Sequence, residues 1–283
     1  MLAPVHVGPP RRGSRPITDL AAWPVWCKTP IAETLVGSWA VLRKGVRSIV
    51  HAAGYDLIRR PALGHNLETH LERLLPLLRI NLVLDVGAND GRTGLALREH
   101  GYRGRIISFE PGPAYTELAE VSSRDPNWLI RREAIGDAED WGELNVTASS
   151  VFSSLHPLAP PSRDAFRDET AIVERREVQV RRLDSLYEEL TLGLAEPRIF
   201  LKSDTQGHDL AVIASIQEHA VTVEAIQVEV MIRKLYENAP DPAETLAHLS
   251  AQGYRLLRSF PDNDYHGLNL FAHDWIFIRD VQH

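Results

Sequence analysis

Apolar residues recur along this chain with two different periods, and the switches between them outline a fold. Residues 66–79 carry Leu67, Leu71, Leu74, Leu75 and Leu78 at helical spacing, whereas Leu82, Val83 and Leu84 form a continuous apolar run, as a strand covered on both faces must. From there the pattern predicts a strand over 82–86, a helix over 92–100, a strand over 105–109, a helix over 112–122 and a strand near 128–135. Two short strands, ELNVTA and REVQVRRL, then flank SSVFSSLHPLAPPSRDAFRDE, which has neither period. An excursion of that length is commonly functional or disordered. Alternation resumes with a strand over 198–203, a helix over about 207–218, a strand over 224–231 and a helix over 241–252. The sequence closes on YRLLRSF and LNLFAHDWIFIR, two strands joined by a turn-rich loop. Strands alternating with helices predict an open α/β sheet, mostly parallel, with helices on both faces and one antiparallel strand from the closing hairpin.

Ahead of this body, Pro4, Pro9, Pro10, Pro16, Pro24 and Pro30 predict an irregular tail, followed by a helix over about 31–53. Residues 1–63 are accordingly an N-terminal extension and 64–283 the main domain. Charge separates the two: the extension holds nine Lys and Arg against three Asp and Glu, a net of +6, leaving 22 against 35, or −13, for the rest. An acidic body argues against a nucleic-acid track, where phosphate neutralisation needs clustered cations. The basic segment LVGSWAVLRKGVRSIVHAAGYDLIRR suits either packing on the domain or peripheral contact with an anionic membrane surface. Apolar runs fall short of a membrane span, and the first residues lack the apolar core of a secretory signal, so a cytoplasmic protein is expected. Cys27 is the single cysteine, which forbids an intrachain disulfide and a cysteine-based zinc site.

The turn after the first strand reads Asp85-Val86-Gly87-Ala88-Asn89-Asp90-Gly91. In doubly wound sheets ligands sit outside the carboxyl ends of the strands, where this turn would lie. Its glycines also fit a tight strand-to-helix connection with no ligand. A dinucleotide pyrophosphate wants G-x-G-x-x-G opening a helix; here Asp85 and Asp90 flank the glycines, so an NAD-dependent dehydrogenase fails on spacing. Two carboxylates tolerate a cationic amino-acid moiety, which S-adenosyl-L-methionine carries beside its adenosine. Glu110, 19 residues beyond Gly91, stands where these folds place the acid that accepts from ribose hydroxyls, and Asp137 is placed to accept from an adenine amino group.

Taken together, LDVGANDG, ISFEPGPAYTEL, EAIGDAEDWGELNV, SSL, RRLDSL, FLKSDTQGHDLAVI, IQVEV, LYE and DWIFIR resemble, in order, the motifs of the FkbM-type S-adenosylmethionine-dependent methyltransferases over roughly residues 65–280. The resemblance implies a Rossmann-like class I methyltransferase fold with a mostly parallel seven-stranded sheet. It also implies O-methylation of a hydroxyl on a sugar, glycolipid or related natural product. By motif it assigns Asp85, Gly87, Asn89, Gly91, Glu110 and Asp137 to the cofactor. The chain departs from the family at His208, Asp209 and Asn238, where tyrosine or alanine, glutamate and glycine are usual.

An alcohol that attacks a methyl donor must lose its proton, and a carboxylate or imidazole within hydrogen-bond reach can take it. Asp204 closes the fourth strand of the alternation and Glu229 lies in the fifth; Asp204 is the first candidate base, and an N-cap is its structural alternative. His208 and His266 are further candidates. A divalent ion held by Asp204, Asp209 and Glu229 would be another way to acidify the hydroxyl, and metal dependence is left unassigned. Ser153 and Ser154 are candidate contacts to cofactor or acceptor. The competing reading is a catalytically idle fold that serves as a partner subunit. Acceptor identity and oligomeric state are open.

Overall fold

The computed structural model describes residues 46, 52, 66–160, 166–261 and 271–280. The chain divides into two units, Met1–Arg59 and Arg60–His283, and the second is an α/β domain. The expected tail, the boundary at 63/64, Cys27, His266 and, apart from residues 46 and 52, which are helical, the expected helix 31–53 lie outside the described residues.

In chain order the elements of the domain are α1 (Leu67–Leu77), β1 (Leu82–Val86), α2 (Arg92–Glu99), β2 (Arg105–Phe109), α3 (Tyr115–Ser122), β3 (Trp128–Arg131), β4 (Ala134–Ile135), β5 (Asp140–Thr147), β6 (Ile172–Arg181), α4 (Leu183–Thr191), β7 (Ile199–Ser203), α5 (Asp209–Ala214), β8 (Val223–Met231), α6 (Pro242–Ala251), β9 (Tyr254–Pro261) and β10 (Ala272–Arg279), with short 3-10 turns at Ser150–Phe152 and Gln217–Thr222. Seven strands form one sheet in the order β3-β2-β1-β7-β8-β10-β9. All neighbours pair in parallel except β10, which runs antiparallel to β8 and β9. This is the Rossmann-like methyltransferase topology, and its order reverses at β1/β7, where such sheets open a crevice.

Alternation on the strands divides the core in two. Leu82, Leu84, Val86, Phe109, Leu201 and Val228 face one side with Leu186 and Leu190 of α4, Val212 of α5 and Leu249 of α6. Val83, Ile106, Phe200, Ala225 and Ile276 face the other with Leu71, Leu74 and Leu75 of α1, Leu97 of α2 and Leu118 of α3. Every residue of β1 is buried, as its apolar run requires. Helix α1 starts at Asn66, whose side chain accepts from the Thr69 amide at 3.2 Å, a common N-cap.

The structure differs from the sequence reading in three places. The strand expected over 128–135 breaks after Arg131: β3 stays in the large sheet, while β4 joins β6 and β5 in a separate three-stranded sheet. Residues 183–191, of which only Leu183 falls in an expected strand and the rest in no expected element, form α4, whose Leu183, Leu186 and Leu190 make a short helical stripe. The helix expected over 207–218 is two pieces, α5 and the turn at Gln217–Thr222. Among the described residues no helix is long and apolar enough to cross a membrane.

Candidate active site

The turn between β1 and α2 is built on left-handed backbone at Gly87 (φ 77°), Asn89 (φ 48°) and Gly91 (φ 88°). At Gly87 the requirement is also steric, because a Cβ there would stand 1.9 Å from the Asp204 carbonyl oxygen. Gly91 serves packing: a Cβ would come within 2.8 Å of Val121 Cγ2 on α3. Four of the five amide hydrogens of the turn, all but that of Asp90, have partners within the protein. Gly87 and Ala88 both donate to the Phe109 carbonyl at 3.0 Å, Gly91 donates to Ala88 at 2.9 Å, and Asn89 donates to Glu110 Oε2 at 2.9 Å. A pyrophosphate would need those N–H groups.

Above it lies a cavity of about 340 Å³ at the carboxyl ends of β1, β2, β7 and β8, within the usual range for a small-molecule site. Gly87, Asn89, Glu110, Ser154, Asp204, His208 and Glu229 all line it. Glu110 accepts from Asn89 N at 2.9 Å and Gly112 N at 2.6 Å, so backbone fixes its carboxylate at the edge of the cavity. Burial pushes its pKa up from the ordinary carboxylate value, opposed by those two donors.

Asp85 and Asp137 take other places. Asp85 is fully buried beneath the cavity floor, where it accepts from Ser108 Oγ at 3.0 Å and pairs with Lys202 Nζ at 3.3 Å. Its position on β1 points it to the α1–α3 side, beside Ser108 and Lys202 in register. Asp137 is exposed and lines a neighbouring hollow with His156, His248 and Glu244. His208 lines both spaces, and its Nδ1 lies 3.2 Å from His156 Nε2. Burial lowers the pKa of both imidazoles.

The two candidate catalytic carboxylates converge through one amide. Gln206, itself at φ 57°, donates from Nε2 to Asp204 Oδ1 at 3.0 Å and to Glu229 Oε2 at 2.9 Å. Its Oε1 faces the Tyr236 hydroxyl at 3.0 Å, which also lies 3.0 Å from the Phe152 carbonyl. Asp204 Oδ2 stands 3.4 Å from Lys202 Nζ. Burial works against the charge of Lys202, but the Asp204 and Asp85 carboxylates outweigh it and hold the ammonium protonated. Asp209 organises this turn instead of facing the cavity: its buried carboxylate accepts from Ser203 Oγ at 2.6 Å, from Thr205 N and Oγ1 at 3.0 Å each and from Gly207 N at 3.2 Å. Among the described residues no group of three or more His, Cys, Asp or Glu is arranged to hold a metal ion.

The aperiodic excursion roofs the cavity. Ser150 Oγ donates to Asn89 Oδ1 at 2.9 Å, and Ser154 Oγ donates to the Gln206 carbonyl at 2.8 Å while accepting from His156 N at 2.9 Å. Ser153 Oγ receives Thr147 N at 3.2 Å. Ser150 and Ser154 thus tie the roof to the two turns at the cavity, and Ser153 ties it to β5. Sequence reasoning missed Lys202, Gln206 and Tyr236. A lone cation inside FLKSD, level with Asp85 in a buried sheet, was a signal for the first; Gln206 and Tyr236 act through a positive φ and a distant loop, which leave none.

The sequence matches the methyltransferase FkbM domain over residues 85–256. No curated protein matches it. Among solved structures it is similar to the FkbM methyltransferase of Methylobacillus flagellatus KT, at 14% identity and a TM-score of 0.42 over 70% of this chain and 43% of that one. It is similar also to the magnesium protoporphyrin IX methyltransferase of Synechocystis PCC 6803 (10% identity, TM-score 0.39, 75% of this chain and 79% of that one). A third likeness is to the fibrillarin of Aeropyrum pernix (12%, 0.40, 70% and 66%). This chain thus spans less than half the length of the Methylobacillus protein.

Proposed function

The chain belongs to the FkbM family of S-adenosylmethionine-dependent methyltransferases, and from that premise we propose that it is an O-methyltransferase acting on a hydroxyl of a sugar, glycolipid or related natural product. The observation that carries this reading is the convergence of Asp204 and Glu229, through Gln206, on a cavity whose other end holds Glu110. The residues present fit the methyl donor. Glu110 is held as a two-oxygen acceptor for ribose hydroxyls, Gly87 and Asn89 border the same cavity, and the committed amides of the turn disfavour phosphate. When bound, S-adenosylmethionine supplies a methyl group on a sulfonium centre, open to attack by an oxygen nucleophile.

The chain's own part is to position and deprotonate that nucleophile. In this reading the acceptor hydroxyl gives its proton to Asp204, and Glu229 orients the acceptor from the next strand. On gaining the proton Asp204 releases its ion pair with Lys202, which keeps Asp85 as its counter-ion. His208, bonded to His156, is a wall of the site in this scheme.

The test is a melting curve of the full chain with S-adenosylhomocysteine and, as control, NAD. Ligand at 100 times its dissociation constant stabilises by about 2.7 kcal/mol, about 5 °C or more in the midpoint at this size. A shift with the first alone is expected, and Asp204→Asn should keep that shift while losing methyl transfer. Equal shifts with NAD, or transfer untouched by the substitution, would sink the corresponding part of the scheme. Binding without transfer to any alcohol would favour the idle partner subunit.

A further inference from the structure

The chain changes sheets at Glu133. β2 and β3 run side by side with Phe109 level with Arg131, and the Glu110 amide donates to the Arg131 carbonyl at 3.0 Å, so the turns leaving the two strands start together at the cavity edge. Beyond Arg131 the chain passes into β4, which pairs with β6 and not with the large sheet. Glu133 is the last residue before that departure, and it lines the cavity with Glu110, Pro111 and Ala134. Asp137 follows β4 and is carried to the neighbouring hollow, where it is exposed and shares the lining with His156 and His248. The acid that the motif points to and the acid that the cavity holds beside Glu110 are therefore different residues.

Glu133 is also a fixed acceptor. Arg131 Nη2 donates to its Oε1 at 2.6 Å, Arg131 Nε lies 3.2 Å from Oε1 and 3.3 Å from Oε2, and Arg131 Nη1 is held in turn by Glu189 of α4. Arg132, the residue between, turns its guanidinium to the Tyr115 ring, 4.0 Å from the centroid. Burial works to raise the Glu133 carboxyl, but the bonds from Arg131 outweigh it and hold the pKa below the ordinary carboxylate value. At neutral pH Glu133 is thus an acceptor only. Arg131 and the residue's own amide bring three N–H groups to a carboxylate with about four acceptor positions, which leaves room for a further donor. Apolar surface adjoins the two acids: Pro111 lies between Glu110 and Gly112, and a Cβ on Gly112 would stand 2.7 Å from Glu110 Oε1 and 3.5 Å from Leu144 Cδ2. Adenosine carries hydroxyls at its sugar end and an exocyclic amine at its base end, and two neighbouring strand ends with one acid each offer a partner to both.

We infer that Glu133 is the residue that selects adenine, accepting a hydrogen bond from the 6-amino group of the methyl donor, and that Asp137 takes no part in the choice. The inference rests on the methyltransferase reading of the same cavity and names a specificity residue within it. The probes are S-adenosylhomocysteine and its analogue in which hydrogen replaces the 6-amino group, each titrated calorimetrically into the full chain at neutral pH. The unaltered chain is expected to prefer S-adenosylhomocysteine about 10- to 100-fold, the range that a hydrogen bond to a charged acceptor supplies. Glu133→Ala should cut the preference to about threefold or less, and Asp137→Ala should leave it unchanged. A merely structural loss would weaken both ligands alike and leave their ratio in place. No preference in the unaltered chain, a full preference that survives Glu133→Ala, or a preference lost in Asp137→Ala overturns the assignment. The first and third of these results need no change at the Arg131 ion pair, so the assignment can fail even where Glu133→Ala does not fold. Failure of the unaltered chain to bind either ligand is a separate result: it removes the methyltransferase reading on which the assignment depends.

Discussion

Gln206 shows how much of a site can rest on one neutral side chain. Its single amide nitrogen divides its two hydrogens between Asp204 and Glu229, and its oxygen is held by Tyr236. Gln206→Ala should therefore leave the carboxylates facing each other with no shared donor, and displacements of about 1 Å at a reacting centre cost about 100-fold. The expected result is kcat reduced about 10- to 100-fold with S-adenosylhomocysteine affinity little changed; an unaltered kcat would show that the bridge is ornamental. The imidazoles of His156 and His208 make a second residue-scale case. Burial depresses both from the ordinary 6.5, with Asp209 acting in the opposite sense on His156 and Asp137 on His208. The unfolded chain then binds more protons below pH 6.5 than the folded one. The contribution of the neutral pair is intact above that pH and declines as pH falls, by at most about 1.4 kcal/mol per pH unit for each imidazole. Urea midpoints measured at pH 7.5 and 5.5 should fall with acidity, and less steeply in the doubly substituted His156→Gln, His208→Gln chain. Parallel slopes for the two proteins would remove the pair as the cause.

Between strands, the decisive feature is a row of polar groups under the cavity floor. Ser108, Asp85, Lys202 and Gln227 stand level on β2, β1, β7 and β8, and Trp128 Nε1 donates to Ser108 Oγ at 3.0 Å at one end. Lys202→Met would leave Asp85 a buried, uncompensated carboxylate, which costs about 3–5 kcal/mol. Urea denaturation should report a loss of that size, and Asp85→Leu combined with Lys202→Met should restore much of it; equal losses in the single and double variants would deny the coupling. This row also marks the limit of what the residue pattern conveys. β1, β2, β7 and β8 were legible because strands covered on both faces must be apolar throughout, and the acids closing β2 and β7 fell at the mouth by the same register. The pairing of Asp85 with Lys202 was not legible from the turn motif, because Lys202 is 117 positions further along the chain. β4 and α4 were missed for a different reason: two residues carry no period, and nine carry only about two and a half turns. The place of Asp137 depends in turn on β4 leaving the large sheet.

For the molecule as a whole, a glycolipid acceptor, one of the classes proposed, would give the charge asymmetry a use. Such an acceptor lies in a bilayer, and the first 63 residues carry a net of +6 against −13 for the remainder. Each Lys or Arg near an anionic surface contributes about 1 kcal/mol of attraction, falling off within a Debye length of about 10 Å at 0.1 M salt. The acidic body is repelled by the same surface, so the net attraction must be weak and must depend on the basic segment alone. The full chain is expected to sediment with phosphatidylserine-containing vesicles at low ionic strength and to be released as salt is raised through about 0.1–0.2 M, with neutral vesicles as control. Neutralising Arg43, Lys44, Arg47, Arg59 and Arg60 to glutamine should abolish sedimentation while leaving the melting shift with S-adenosylhomocysteine in place, because every described residue that lines the cavity lies beyond them. Sedimentation that persists after neutralisation, or that ignores salt, would mean that the attraction is not electrostatic. Absence of sedimentation in the unaltered chain at low salt would leave the acceptor to arrive from solution, and the basic segment would then have to be explained by contacts within the protein.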